Sequence, residues 1–391
     1  MSYKIVVLDL ETTINAPAPH FGAAPAWPDN RSVLIGYQAD NHPVRTTTDP
    51  TELGIGPDTL VVGHNLAFDL HYLMRETDFP NCALWDTQKF EYLITGRSTI
   101  SPSLEAVCER RQLDFTKDTE VSERFKVGIG ADKIDRELLR KYLIEDVKAT
   151  KRVFEEQVAA LGGSATRTNY FTSLMTGILA TTKMCANGLP FDKSGAEVEV
   201  KNIQLRHEKL LNSATDKWSQ FWPTELGEIN LGSPSQITAL LWGGDLRYKE
   251  DVVTTTSDGT PILYKTGARA GEAKTRKVDR LVEVAPLCGP EIKAEFTNKG
   301  WEQNSSAATL NRILNSVVTT KDAAGYARPR LLCGDLIELR ELSKTINTYF
   351  KPYIEYTIGG RIHPQYNHCI TQTGRLSSSK PNMQNISGKS R

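Results

Sequence analysis

At 391 residues the chain has room for two to four domains, each able to bury a core of its own. Its 47 basic and 47 acidic side chains cancel, so bulk charge argues neither for nor against a polyanionic partner, and any such surface must be local. Six cysteines without metal-site spacing, no apolar stretch approaching about 18 residues, and an acidic strand directly after the N-terminus point to a reduced intracellular protein, with neither a membrane span nor a secretion signal.

Residues 4–13, KIVVLDLETT, form an apolar, β-branched run that ends in two acids, and they predict a buried strand with carboxylates at its carboxyl end. Residues i and i+2 of a strand share a face, so Asp9 and Glu11 can point at one metal or reacting group while Leu8 and Leu10 pack. Two neighbouring carboxylates repel unless a cation or proton compensates, and hard divalent cations favour oxygen ligands. By itself the D-x-E pattern equally describes an edge strand running into an acidic surface turn.

The proline-rich segment 14–31, with Pro17, Pro19, Pro25 and Pro28, predicts a loop, either a wall beside the acidic strand end or a linker. Strands are predicted at 32–38, around 44–48 and at 59–64. The last empties into HNLAFD, residues 64–69, where Asn65 can cap a helix and Asp69 sits in its opening turns, favoured there by the helix dipole. Asp69 thereby reaches the sheet rim that carries Asp9 and Glu11, the rim where open α/β folds place ligands.

Asp86 reads as a packing or capping residue, a short helix begins at Ser103, and 118–130 has the mixed polarity of an exposed connection. Residues 135–148 are the strongest helix of this half, amphipathic through Leu138, Leu139, Leu143 and Val147. Tyr142 and Asp146, four apart, share one face. Alone they could be a packed tyrosine and a surface ion pair. With Asp9, Glu11 and Asp69 they make four carboxylates and a phenol that a metal-centred site would gather.

In this order and spacing the motifs resemble the 3′–5′ proofreading exonuclease domain of bacterial and phage family A DNA polymerases, the DNA polymerase I family. Asp9-Leu10-Glu11 resembles its first motif, residues 64–69 the second, and Tyr142-Leu143-Ile144-Glu145-Asp146 the Y-x-x-x-D form of the third. Residues 184–192, MCANGLPFD, look like the segment that introduces the polymerase thumb, and 230–237, NLGSPSQI, like its turn and following helix, with Ser233 or Ser235 as cap. A charged helix over 193–219 is expected to use Leu205, Leu210 and Leu211 as internal contacts, and 336–349 resembles the long helix towards the palm. Residues 251–300 read as strands or an extended insertion, in which 265–280 carries six bases against two acids, a phosphate-binding lobe or a solvated hairpin. The GRIHPQY run from Gly360 and the TQTGRLSSSKPNMQNI run from Thr371 match the family motif that touches primer–template DNA. Residues 340–391 hold eight bases and two acids, and Arg375, Asn382 and Gln384 are candidate contacts to phosphate and minor groove.

The resemblance implies an α/β fold: a ribonuclease H-like exonuclease domain with a mixed sheet flanked by helices over 1–165, a mainly helical thumb-like region over 166–350 with a basic insertion around 251–300, and the start of a palm over 351–391. The palm aspartates and fingers of the family come after this point, so a second polypeptide or a missing carboxyl-terminal part would be needed for synthesis. The implied reaction is hydrolysis of the terminal phosphodiester of a DNA 3′ end by two Mg2+ ions, with Mn2+ able to substitute. Asp9, Glu11, Asp69 and Asp146 are the implied metal-associated acids, Asp9 bridging. Tyr142 orients the attacking water and Asn65 contacts the strand. The implied partners are primer–template DNA and single-stranded 3′ ends, in the cytoplasm of a bacterial or phage-infected cell. Alternatives are an RNA-directed 3′ exonuclease and a DNA-gripping subunit of a split polymerase with little hydrolysis.

Overall fold

The structure is a computed structural model that describes residues 3–17, 22–96, 100–115, 118–266, 269–316 and 323–386. Pro19 of the proline-rich loop and the last five residues of the expected palm segment lie outside them. Packing divides the chain into two compact units, residues 1–196 with 349–391, and residues 197–348.

The first unit is built on a five-stranded sheet of order β3-β2-β1-β4-β5, with β1 Lys4–Thr12, β2 Ser32–Ala39, β3 Arg45–Thr47, β4 Thr59–Gly63 and β5 Ala83–Asp86. β1 is central: it pairs antiparallel with β2 and parallel with β4, which pairs parallel with β5. Val6, Val7, Leu8, Val61 and Val62 are wholly buried, as the apolar runs predict for strands covered on both faces. Helices α1 (Ala67–Glu76), α2 (Thr87–Thr95), α3 (Leu104–Arg110), α4 (Thr119–Lys126), α5 (Arg136–Ala160) and α6 (Ala165–Asn187) complete this part. Met175, Ile178 and Leu179 of α6 enter the same core as the strands.

α5 lies close against β2 because Gly36 has no side chain. A Cβ there would come within 2.8 Å of Leu143 Cγ and 3.0 Å of Val147 Cγ2. The 118–130 segment is not a mere connection. Asp118 accepts from the backbone of Glu120 and Val121 and starts α4, whose Val121 is buried while Phe125 packs alongside, so one capped turn and two apolar contacts suffice for a helix. After α6 come β6 (Leu189–Pro190) and, at the far end of the sequence, α12 (Lys351–Glu355), β9 (Thr357–Ile358) and β10 (Arg361–Ile362). Strands β6, β10 and β9 form a small sheet, and β11 (Gln365–Asn367) and β12 (Ser377–Ser379) form a hairpin.

The second unit contains most of α7 (Lys193–Ser219), then α8 (Pro234–Trp242), strands β7 (Gly244–Val253) and β8 (Thr275–Val284), α9 (Pro290–Asn298), α10 (Ala307–Asn315) and α11 (Ala323–Lys344). Its core gathers Trp218, Trp242, Phe296, Leu310 and Leu336. Ser233 caps α8 with Pro234 in the first turn. Leu210 and Leu211 pack on this core, but Leu205 is 57% exposed and is not the internal contact expected of it. The basic insertion is a long β7–β8 hairpin, in which Arg269 pairs with Glu272 and Arg280 with Glu250. The helix expected over 336–349 is the end of α11 continued as a π-helical stretch, Thr345–Phe350.

Candidate metal centre

Parallel pairing of β1 with β4 carries the carboxyl end of β1 and the turn after β4 to one rim of the sheet. The β1–β2 register shifts between Glu11 and Thr12, an irregularity of the kind that re-aims side chains at strand ends. α5 crosses the rim with Tyr142 and Asp146 on its buried face. There Asp9, Glu11 and Asp146 each offer an oxygen within 4.8 Å of the others. Asp146 is buried and the other two are half-buried, so the cluster combines mutual repulsion with loss of hydration. An all-carboxylate donor set of this kind suits a hard divalent cation such as Mg2+ or Mn2+.

Tyr142 is 6% exposed, hydrogen-bonded to Asp146, and packed edge-on against Phe125 at 6.2 Å. Burial first, then the charges of Asp146, Glu11 and Asp9, push its phenol far above the ordinary tyrosine range. It stays protonated. Asp69 lies behind the strand: it is 3% exposed and accepts the Leu10 N–H at 3.3 Å. Burial, and then the neighbouring Asp9, raise its carboxyl well above the usual range. Thus three of the four expected acids share one point, and the fourth stands beside Asp9 bonded to the strand.

Asn65 does not cap α1 as expected. It is exposed, in the left-handed region at φ 63°, and the N-cap position falls to Leu66, which makes no side-chain cap bond. Asn65 and Phe68 instead line a cleft of about 390 Å³, whose other walls include His71, Tyr366, Asn367 and Lys380. The His71 imidazole is held down to about 4 by burial and by His363. Burial also lowers Lys380. His71 had no signal in the sequence and Lys380 only its place in the run from Thr371, because the wall forms when Tyr356–Asn367 and Lys380 come together with α1 and α6.

Arg375 lies exposed between β11 and β12, and Asn382 and Gln384 follow, exposed, with Asn382 Oδ1 accepting the Gln384 N–H at 3.0 Å. The hairpin is tied to α2 and α6. Lys89 Nζ donates to Leu174 O at 3.0 Å and to His368 Nδ1 at 3.2 Å, and His368 Nε2 meets Thr181 Oγ1 at 2.8 Å. An ammonium only donates, so Nδ1 accepts and Nε2 carries the hydrogen. Burial, then Lys89, hold His368 down to about 4. Tyr92 donates its hydroxyl to Thr371 O.

Comparison with known proteins places these features in a family context. Residues 298–391 match the model of DNA polymerase family A. DNA polymerase I of Rhizobium leguminosarum is 23% identical over 365 residues, which is 90% of this chain and 29% of that protein. Over residues 298–391 the chain is similar to the family A DNA polymerases. The thermostable DNA polymerase I of Thermus thermophilus is 37% identical over 92 residues, 23% of this chain and 10% of that protein. The chain therefore spans well under half the length of these relatives. In fold it is similar to the POL domain of Pol1 from M. smegmatis, solved in complex with DNA primer-template and dNTP, with a TM-score of 0.54 at 16% identity over 99% of this chain and 53% of that one. No helix among the described residues is long and apolar enough to cross a membrane.

Proposed function

We propose that this polymerase relative hydrolyses DNA from the 3′ end, releasing nucleoside 5′-monophosphates, and that residues 1–165 are its ribonuclease H-like proofreading domain. The observation that carries the proposal is the meeting of Asp9, Glu11 and Asp146 within 4.8 Å, beside the buried Tyr142 phenol. The donor set fits Mg2+. Asp9, Glu11 and Asp146 would hold the cation directly, and Asp69 would support Asp9 from behind. When bound, divalent cations lower the pKa of coordinated water and offset charge on the phosphodiester.

The chain's own groups supply the rest. Tyr142, held protonated, orients the attacking water through its hydroxyl and is no general base. Glu11 accepts a hydrogen bond from that water. Asp69 fixes the strand by holding Leu10 N–H, so Asp9 and Glu11 keep their direction. The cleft lined by Asn65, Phe68 and Tyr366 has aromatic faces and amide edges suited to an unpaired strand. Arg375, Asn382 and Gln384 would hold the duplex portion of a primer–template. Unpaired ends cost less to bring to the acids than paired ones, which favours removal of mismatches.

The test is a 3′-labelled oligonucleotide incubated with the chain and Mg2+. Labelled mononucleotide that disappears with a chelator supports the proposal; no release with Mg2+ or Mn2+ contradicts it and leaves a DNA-gripping role. An RNA strand of the same sequence, degraded faster than the DNA, would favour an RNA-trimming enzyme.

A further inference from the structure

Asp86 ends β5 opposite Gly63, the last residue of β4, and is 5% exposed. Its carboxylate accepts four backbone N–H groups. Two belong to its own helix: Gln88 at 2.9 Å and Lys89 at 3.2 Å. The other two belong to the turn after β4: Asn65 at 3.2 Å and Leu66 at 2.9 Å. The first pair is an ordinary cap of α2. The second pair crosses between strands and supplies the cap that α1 lacks, since Leu66 makes no side-chain cap bond. α1 begins with Asp69 in its first turn, and Asn65 holds a left-handed conformation that asparagine tolerates better than most residues. Four donors facing one buried group suit an ionised carboxylate and nothing else of that size, because an amide or a protonated acid would turn a donor towards donors.

We propose that Asp86 is a positioning residue for the acidic site: it clamps the Asn65–Leu66 turn, so that Asp69 meets Leu10 and Asp9 in the geometry described above. The inference rests on the nuclease reading. α2 gives the clamp a fixed base, since Lys89 and Tyr92 anchor it to Leu174, His368 and Thr371. Removing the clamp frees the turn that aims Asp69, and the strand register at Leu10 then loses its fixed partner.

Two variants of the full chain test this. Asp86→Asn removes the charge and half of the acceptor capacity. Asp86→Ser keeps a residue that can cap α2 but is too short to reach the turn after β4. Each is measured for thermal unfolding, for kcat and KM on a 3′-labelled single strand, and for Mn2+ affinity by titration calorimetry. The expected result is a cooperative unfolding transition in both, kcat down roughly 10–100-fold, Mn2+ affinity about 10-fold weaker and KM little changed, the pattern of lost support behind metal ligands. Folded variants with kcat and Mn2+ affinity within about twofold of wild type would overturn the proposal, a threshold well inside the expected loss. So would loss of the unfolding transition in both, which makes Asp86 a stabilising residue only. Asp9→Ala is measured in parallel. Turnover that survives Asp9→Ala sinks the nuclease reading itself, whereas turnover lost there and retained in both Asp86 variants sinks only the positioning role.

Discussion

The rim at the end of β1 is acidic and runs from half-buried Asp9 and Glu11 to buried Asp146, whereas the loop around Arg375 between β11 and β12, and Asn382 and Gln384 after it, are exposed and sit in a sequence segment rich in bases. At the rim, three carboxylates whose oxygens lie within 4.8 Å carry a real electrostatic cost, and that cost demands a compensating cation or proton. At the hairpin loop and just after it, Arg375 and Gln384 stand in solvent at little cost. Resemblance distributes itself the other way: the family match falls on 298–391. Geometry therefore argues most strongly for a metal centre in the part of the chain outside that match, and likeness to the polymerase family falls where geometry is quietest. Substitutions on each side can break that contrast.

The largest effect is expected from Asp146→Asn, which keeps the shape of the side chain and removes a charged ligand. Mononucleotide release should fall about 1,000-fold, the scale of several kcal/mol of lost charge stabilisation. A rate within tenfold of wild type would take Asp146 out of the centre. Tyr142→Phe comes next. If the phenol orients water, kcat should drop roughly 10–100-fold with strand affinity unchanged, and the pH–rate profile should keep its shape because a protonated phenol has no titration to lose. Loss of a pH-dependent limb would make Tyr142 an acid or base instead.

Gly36→Ala probes how the rim is assembled. The added methyl meets Leu143 and Val147, so α5 must move, and stability should fall by about 1–3 kcal/mol in chemical unfolding. Activity should fall with it, since α5 carries Tyr142 and Asp146. On the hairpin side Arg375→Ala should leave hydrolysis of a short single strand unchanged and weaken duplex binding. The salt slope of log affinity should decrease by about 1. An unchanged slope would mean that Arg375 meets no phosphate.

The mildest effect concerns pH. His368 and His71 are both held down to about 4, so the folded state takes up their protons later than the unfolded chain. The stability tied to their neutral form is intact above about pH 6.5 and is lost as pH falls towards 4. His368→Gln, which retains an acceptor for Lys89, should flatten part of that loss in unfolding curves taken between pH 7 and 4.5, windows set by the ordinary histidine range.

Much of the rim was legible in the sequence because it obeys local periods. Asp9 and Glu11 share a strand face at i and i+2, Tyr142 and Asp146 a helix face at i and i+4, and HNLAFD follows a buried strand. What escaped depends on contacts distant in sequence. Asp86 looked like a local cap, yet half of its bonds reach residues 20 and 21 positions away. Gly36 mattered only once α5 lay on it. Asp69 was expected at this rim, and what the sequence did not give is its bond to the Leu10 N–H, which needs β1 and β4 paired in parallel. In 118–130 the Asp118 cap and the apolar pair Val121 and Phe125, four residues apart on one face, gave a helix.

The most direct measurement compares wild type with Asp9→Ala on one primer–template carrying a mismatched, labelled 3′ end, following both mononucleotide release with Mg2+ and binding of the same DNA in its absence. The nuclease reading predicts release that vanishes in Asp9→Ala while DNA affinity stays within about threefold of wild type, since phosphate contacts elsewhere dominate binding. Near-normal release by Asp9→Ala would contradict it.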